Sequence, residues 1–316
     1  MSILSKPYFH DEAAAYAHLE GILWPEGVVC PHCGNTDKVY KLGGVKSKPS
    51  KKNPEGKERF GLKKCGSCRQ QFTVTVGTVY ESSHIPLHKW LQATYLMCSS
   101  KKGISASQIA RTLEITYKSA WFVCHRIREA MTDKYFKAPL GGKDKIVEAD
   151  ETYVGGKEKN KHANKKARMG RGAVTKMPVV SLVERNGNVR SFHLPEVNAN
   201  NLKNVLEYHV SRKSCVMTDE HTIYPPATEE FADHQTVNHS SHEYVRDGVW
   251  HTNTVENYFS LLKRGIVGTF HHVSQQHLNR YVAEFDFRYN SRTLDDTGRT
   301  MGALAGIQGK RLMYKN

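Results

Sequence analysis

Two Cys-x-x-Cys turns constrain this chain more than any other feature: Cys30-Pro-His-Cys33 and Cys65-Gly-Ser-Cys68, with 31 residues between them. Such a turn aims two thiolates at one point, and two turns complete a tetrahedral Zn²⁺ site. Strand-like sequence flanks both pairs: KVYKL follows the first, ERFGLKK precedes the second, and QQFTVTVGTVY follows it. The pattern predicts a zinc ribbon within residues 1–87, with structural Zn²⁺ on Cys30, Cys33, Cys65 and Cys68 supplying the stability that so small a core lacks. The gap exceeds the usual ~15–20 residues, and a basic insert, GGVKSKPSKKNPEGK (43–57), accounts for the excess if it forms a loop. His32 lies inside the first turn and is not needed as a ligand, since four thiolates suffice. The seven cysteines are odd in number, and the opening MSILSKPYFHDEAAAYAHLE lacks a signal-peptide core. Both features favour metal over disulfides and a reducing cytoplasm.

Charge narrows the partner. Over 316 residues, 46 Lys and Arg against 31 Asp and Glu leave a net charge of +15. Such a chain attracts polyanions, and nucleic acid is the expected one. No run of ~18 apolar residues exists, so a membrane partner is not expected.

Residues 88–143 read as a helix-turn-helix region with a linker. Trp90, Leu91, Tyr95 and Leu96 recur at helical spacing, Ser105 or Ser107 opens a second helix, and YKSAWFVCHRIREAM forms a third. Ile109, Ala110, Leu113, Ala120, Val123 and Ile127 are the expected shared core, with Cys98 and Cys124 as small apolar members of it. The last helix of this motif enters the major groove through its N-terminal residues, here Tyr117, Lys118 and Ser119. Arg126 and Arg128 are then available for phosphate.

Residues 144–300 alternate short apolar runs with helical stretches, as a mixed α/β domain does. KIVEA predicts a strand ending at Asp150. PVVSLVE and VRSFH flank Asn186-Gly187 as a hairpin, and SCVMT predicts a strand ending at Asp219. Between Asn253 and Gly265, Val255, Tyr258, Phe259, Leu262 and Ile266 share one helical face, while Asn253, Glu256, Ser260 and Lys263 form an adjacent polar stripe. Asp150, Asp219 and Glu256 are the candidate metal ligands. Two Mg²⁺ or Mn²⁺ ions on hard oxygen ligands suit phosphodiester cleavage, and Lys263 returns to the face of Glu256 as a phosphate grip. Glu148 shares a strand face with Asp150 and is a rival to it, whereas Glu151 and Glu220 face away. His239, His242, His271 and His272 are secondary candidates for metal or DNA. From Gly155 to Lys176 eight Lys and Arg stand against one acid, so Lys165, Lys166 and Arg168 are expected on the DNA backbone. Residues 301–316 read as a tail.

The ordered set CPHCG, CGSCRQQFTVTVGT, VEADETYVGGK, TDE, HTNTVENYFSLLKRG and FHHVS resembles the DDE transposases of bacterial insertion sequences. The branch it is similar to carries an N-terminal zinc ribbon (ISXO-like, related to eukaryotic Merlin elements). The likeness spans about residues 10–300. It implies an RNase H-like α/β fold with a five-stranded mixed sheet flanked by helices. It places the family's three acidic positions on Asp150, Asp219 and Glu256, with 36 residues between the last two, and the basic position on Lys263. The function implied is binding of terminal inverted repeats, then metal-dependent strand cleavage and strand transfer into target DNA by a homo-oligomer assembled on DNA. Two other readings are a non-catalytic DNA-binding regulator and a nuclease or resolvase that does not rejoin strands.

Overall fold

The computed structural model describes residues 2–51, 53–132, 138–156, 162, 176–241, 243 and 245–313. The chain divides into two compact units, Met1–Thr132 with Leu294–Asn316, and Asp133–Thr293.

The first unit opens with α1 (Glu12–Leu23), capped by Asp11, whose carboxylate accepts from Ala14 N at 2.7 Å. The ribbon follows as an antiparallel sheet of β1 (Val39–Lys41), β2 (Lys63–Cys65) and β3 (Gln71–Phe72), with Val39 opposite Cys65 and Lys63 opposite Phe72. The third strand is shorter than QQFTVTVGTVY suggests. Thr73 Oγ1 and Thr75 Oγ1 are 2.8 Å apart, and Thr78 Oγ1 donates to Thr75 O at 2.7 Å. These local hydroxyl bonds offer the backbone an alternative to the ladder, and it turns instead. The basic insert is a hairpin extension rather than an open loop: Lys46 bridges Glu58, and Ser47 N donates to Lys57 O at 2.8 Å.

Three helices follow where the pattern places them: α2 (Leu87–Ser99), α3 (Ala106–Thr112) and α4 (Tyr117–Met131). Ser105 caps α3 through Gln108 N at 3.1 Å, and Thr116 caps α4 through Ser119 N at 3.3 Å. Ile109, Leu113, Ala120, Val123, Ile127, Cys98 and Cys124 are buried, as expected; Ala110 is only partly so. The C-terminus departs from the expected tail. Here α9 (Asp296–Ala305) packs on α2, Val79 N donates to Ile307 O at 3.1 Å, and Lys310 Nζ donates to Ala130 O at 2.9 Å. The reason is a stripe at helical spacing, Thr300, Ala303, Leu304 and Ile307, all buried. Residues 301–310 therefore belong to the N-terminal unit's core.

The second unit is built on a five-stranded sheet. Its strands are β4 (Ile146–Val154), β5 (Met177–Glu184), β6 (Val189–His193), β7 (Cys215–Asp219) and β8 (Asp233–Val237), in the order β6-β5-β4-β7-β8. β6, β5 and β4 are antiparallel neighbours, and β7 and β8 run parallel to β4. The hairpin between β5 and β6 turns at Asn186, which takes φ 58°, a conformation Asn tolerates. α5 (Ala199–His209) and α6 (Pro225–Thr228) cover one face, packing on Val147, Ala149, Val180, Leu182 and Val216. α7 (Asn253–Gly265) and α8 (Gln275–Asn290) cover the other, packing on Val154, Val179, Val183 and Val189. This is the RNase H-like mixed sheet flanked by helices.

Candidate active site

The sheet register brings the two aspartates together. β4 pairs with β7 in parallel, Glu148 opposite Met217, so two residues further on Asp150 comes level with Asp219 on the adjacent strand. Adjacent strands lie ~4.8 Å apart, and alternation puts residues two apart on one face. Val147, Ala149 and Val216 belong to the α5 face, so Glu148, Asp150 and Asp219 point toward α7. Asp150 does not end its strand, as KIVEA suggested. β4 runs four residues further, to Val154 opposite Met177, because β5 continues to pair where β7 has stopped.

α7 supplies the third carboxylate. Val255, Tyr258, Phe259, Leu262 and Ile266 are buried, whereas Asn253, Glu256, Ser260 and Lys263 are exposed. One helix therefore presents Glu256 and Lys263 on the same polar stripe. After Gly265 the helix widens into a π turn, Ile266–Phe270.

The electrostatics mark Asp150. Burial, then the neighbouring Glu151, Asp219 and Glu256 charges, push its carboxyl up to about 8 against the opposing bond from Glu151 N. Among the described residues neither Asp150 nor Asp219 has a cationic side chain paired to it. A buried carboxyl raised in this way, with further carboxylates near it, fits a divalent cation. The carboxylates are not drawn tightly together, however. Glu256 Oε1 accepts from Thr252 Oγ1 at 3.1 Å and lies 3.3 Å from His239 Nε2, while Asp219 Oδ1 accepts from His221 N at 3.0 Å. Among the described residues the four ribbon cysteines are the one group whose ligand atoms all lie within 4.8 Å of one another.

Of three neighbouring residues, Glu151 faces away as expected, while Glu148 and Arg185 take parts that the sequence did not assign. Glu151 turns to the opposite face, where Tyr224 OH donates to it. Glu148, foreseen only as a rival to Asp150, is fully buried and caps α7. Arg185, which carried no signal, donates through Nε to Glu148 Oε1 at 2.7 Å. The offset between β4 and β5 that brings Arg185 there is a property of the register, not of any local motif.

The zinc centre lies in the other unit. Cys30 Sγ and Cys68 Sγ are 3.7 Å apart, as are Cys33 Sγ and Cys65 Sγ. A tetrahedron with Zn–S of ~2.3 Å has S–S edges of about 3.8 Å, so these two edges suit Zn²⁺, and all four sulfurs lie within 4.8 Å of one another. Backbone N–H groups of Cys68 and Ser67 draw the Cys65 thiol down, toward the thiolate a metal binds, while burial and the neighbouring thiols push the Cys68 thiol up.

The DNA-facing expectations divide. Tyr117 and Lys118 are exposed on the first turn of α4, with Ser119 partly covered. Arg126 is buried instead: Nη1 donates to Glu81 O at 2.8 Å, Nε donates to Leu312 O at 3.1 Å, and the guanidinium stacks over Phe122 and Trp90. Arg128 is buried as well. Both lie on the core side of α4, and neither is available for phosphate. Lys165, Lys166 and Arg168 fall outside the described residues, as does His242.

The chain matches two known protein-domain families. Residues 139–290 match the ISXO2-like transposase domain, and residues 10–71 match the transposase zinc-ribbon domain. A protein of the transposable element ISH50 of Halobacterium salinarum is 28% identical over 292 residues, covering 89% of this chain and 91% of that one. Among solved structures, the Mos1 strand transfer complex is 12% identical over 64% of this chain and 76% of that one, with a TM-score of 0.23. A pre-cleavage Mos1 transpososome is 14% identical over 67% and 73%, with a TM-score of 0.25. The two domain matches fall in order on the ribbon and on the RNase H-like unit, and on them the chain belongs to the zinc-ribbon branch of the insertion-sequence DDE transposases.

Proposed function

We propose that this transposase binds the terminal inverted repeats of its own element, cleaves a strand there and joins the freed end to target DNA. The observation that carries the chemistry is the placing of Asp150 and Asp219 on the α7 side of the sheet, with Glu256 on α7, and the Asp150 carboxyl raised first by burial and then by the Glu151, Asp219 and Glu256 charges. These three would hold Mg²⁺ or Mn²⁺, which when bound activates water and neutralises phosphate charge. Asp150 and Asp219 sit on adjacent strands and fix one side of the cleft. Glu256 approaches from α7, and Lys263 on the same stripe grips a phosphate. Hydrolysis breaks a P–O3′ bond at the element's end and leaves a 3′-hydroxyl. That hydroxyl then attacks a target phosphate and displaces a second 3′-oxygen.

The N-terminal unit serves recognition. The zinc ribbon holds its three short strands together through Cys30, Cys33, Cys65 and Cys68. The first turn of α4 offers Tyr117, Lys118 and Ser119 to the major groove, and phosphate neutralisation by Lys and Arg, including Lys165, Lys166 and Arg168, supplies most of the affinity. The protein is expected to work as a homo-oligomer on DNA in the cytoplasm; among the described residues no helix is long and apolar enough to cross a membrane.

Glu256→Gln is the test. It keeps size and hydrogen bonding but removes charge. Incubation with paired terminal-repeat DNA and Mg²⁺, with nicks and joined products mapped, should show both products reduced ~10²-fold or more. Cleavage within a few-fold of the parent would move the third ligand elsewhere, with Asn253 the next candidate. Nicking without joining in the parent protein would favour a nuclease.

A further inference from the structure

We propose that Glu148 is a positioning residue: a buried carboxylate that locks the first turn of α7, and so Glu256, to the strand that carries Asp150. The inference rests on the reading of Asp150, Asp219 and Glu256 as metal ligands.

The first turn of α7 lacks its ordinary cap. Its N-cap residue, Thr252, makes no side-chain bond to the helix backbone. The Thr252 hydroxyl is engaged by the site instead, donating to Glu256 Oε1 at 3.1 Å and lying 3.2 Å from His239 Nε2. Asn253 N donates to His251 Nδ1 at 3.3 Å, and the next two helix N–H groups are taken by a residue from the sheet. Glu148 Oε2 accepts from Thr254 N at 2.8 Å and from Val255 N at 3.0 Å, and Oε1 accepts from Thr254 Oγ1 at 2.8 Å. A carboxylate there also meets the positive end of the helix dipole.

The same carboxylate fixes the segment that leads into α7. Arg185 Nε donates to Glu148 Oε1, while its Nη1 donates to Val249 O at 2.6 Å and its Nη2 to His251 O at 2.8 Å. His251 Nδ1 stands 3.3 Å from Glu148 Oε1. One buried charge thus ties together β4, the end of β5, residues 249–251 and the start of α7.

A wholly buried carboxylate is costly unless fully bonded, and an apolar residue often packs such a place as well. What an apolar residue cannot supply is fixed distance. Glu148 lies two residues before Asp150 on one strand face, and its bonds end at Thr254 and Val255, immediately before Glu256. The clamp therefore sets the separation between ligands that come from different elements. Partners of this kind, when lost, weaken metal affinity 10–100-fold elsewhere.

Zinc-loaded full-length protein, titrated with Mn²⁺ by calorimetry, tests this without any reaction. Asp150→Asn, as reference, should abolish the Mn²⁺ heat. Glu148→Gln should bind Mn²⁺ at least tenfold more weakly. Because Glu148→Gln leaves Arg185 facing a neutral partner and risks unfolding, Glu148→Asp is the second variant. It keeps the charge beside Arg185 but shortens the reach by about 1.5 Å, so it should fold and still bind Mn²⁺ several-fold more weakly. A purely structural charge predicts parental Mn²⁺ affinity for Glu148→Asp, and that result overturns the clamp alone. Parental Mn²⁺ affinity in Asp150→Asn overturns the metal-site reading and the clamp with it.

Discussion

Removing the charge of Asp150 should stabilise the protein while destroying its activity. Its carboxyl is raised to about 8 from an ordinary value of 3.8, first by burial and then by Glu151, Asp219 and Glu256. A raised carboxyl contributes stability that is complete below its unfolded value and is lost as pH rises toward the folded value. In protein free of divalent ions other than zinc, the penalty therefore grows from about pH 4 to about pH 8 and then levels off. Some four units at 1.36 kcal/mol each set a ceiling of about 6 kcal/mol. Water reaches the partly buried carboxyl and screens it, so about half of that, ~3 kcal/mol, is the working figure. Asp150→Asn is neutral in both states and avoids the penalty. For a unit of this size 1 kcal/mol moves Tm by ~2–4 °C. Thermal unfolding at pH 8 should show Asp150→Asn melting ~6–12 °C above the parent, with the two converging at pH 4.5. Mn²⁺ should raise the parent's Tm and leave the variant's unchanged. A Tm difference independent of pH, or a variant less stable at pH 8, would refute the buried, charge-crowded setting of Asp150.

Three further outcomes follow from the other centres. Cys65→Ser should release the one zinc per chain, measured by elemental analysis, and unfold the ribbon, while the RNase H-like unit, with its own two cores, keeps its cooperative melting. Asp219→Asn should retain affinity for terminal-repeat DNA but lose strand cleavage ~10²-fold or more, because affinity comes from phosphate neutralisation rather than from metal ligands; normal cutting would remove Asp219 from the site. Arg126→Met forfeits two bonds from a buried guanidinium and should destabilise the N-terminal unit by about 3–5 kcal/mol, with the salt dependence of DNA binding unchanged, whereas loss of a phosphate contact would lower that slope by ~0.9.

How much was legible in the sequence depended on the range of each signal. The clustering of Cys30, Cys33, Cys65 and Cys68 and the three helices 87–99, 106–112 and 117–131 were written in local spacing and caps, and the structure has them there. The buried face of α7 followed from its 3.6-residue period alone. Arg126 misled because a basic residue on a recognition helix carries no local mark of which side it faces; the deciding contacts come from Glu81 and Leu312. The C-terminal stripe was missed because DDTGRT opens it with polar residues, and its apolar part is too short to show a period. The extension of β4 beyond Asp150 was hidden for a related reason: ETYV continues the alternation, but Glu151 breaks the apolar run that marks a strand.

The same distinction of range explains why the three acidic residues are not equally secure. Asp150 and Asp219 each lie two residues past the last hydrogen-bonded pair of two adjacent strands, Glu148 and Met217, so backbone register sets their separation closely. The position of Glu256 has no such guarantee, since α7 meets the sheet through apolar contacts that tolerate sliding along the helix axis. Directional bonds at the start of α7 remove that freedom, and they come from Glu148 on the strand of Asp150 and from Arg185 at the end of its neighbour. Geometry that backbone pairing provides for the first two carboxylates is thus provided for the third by buried side chains. Substitutions around the aspartates should therefore act mainly by removing charge, whereas those around residues 249–255 should act by displacing Glu256.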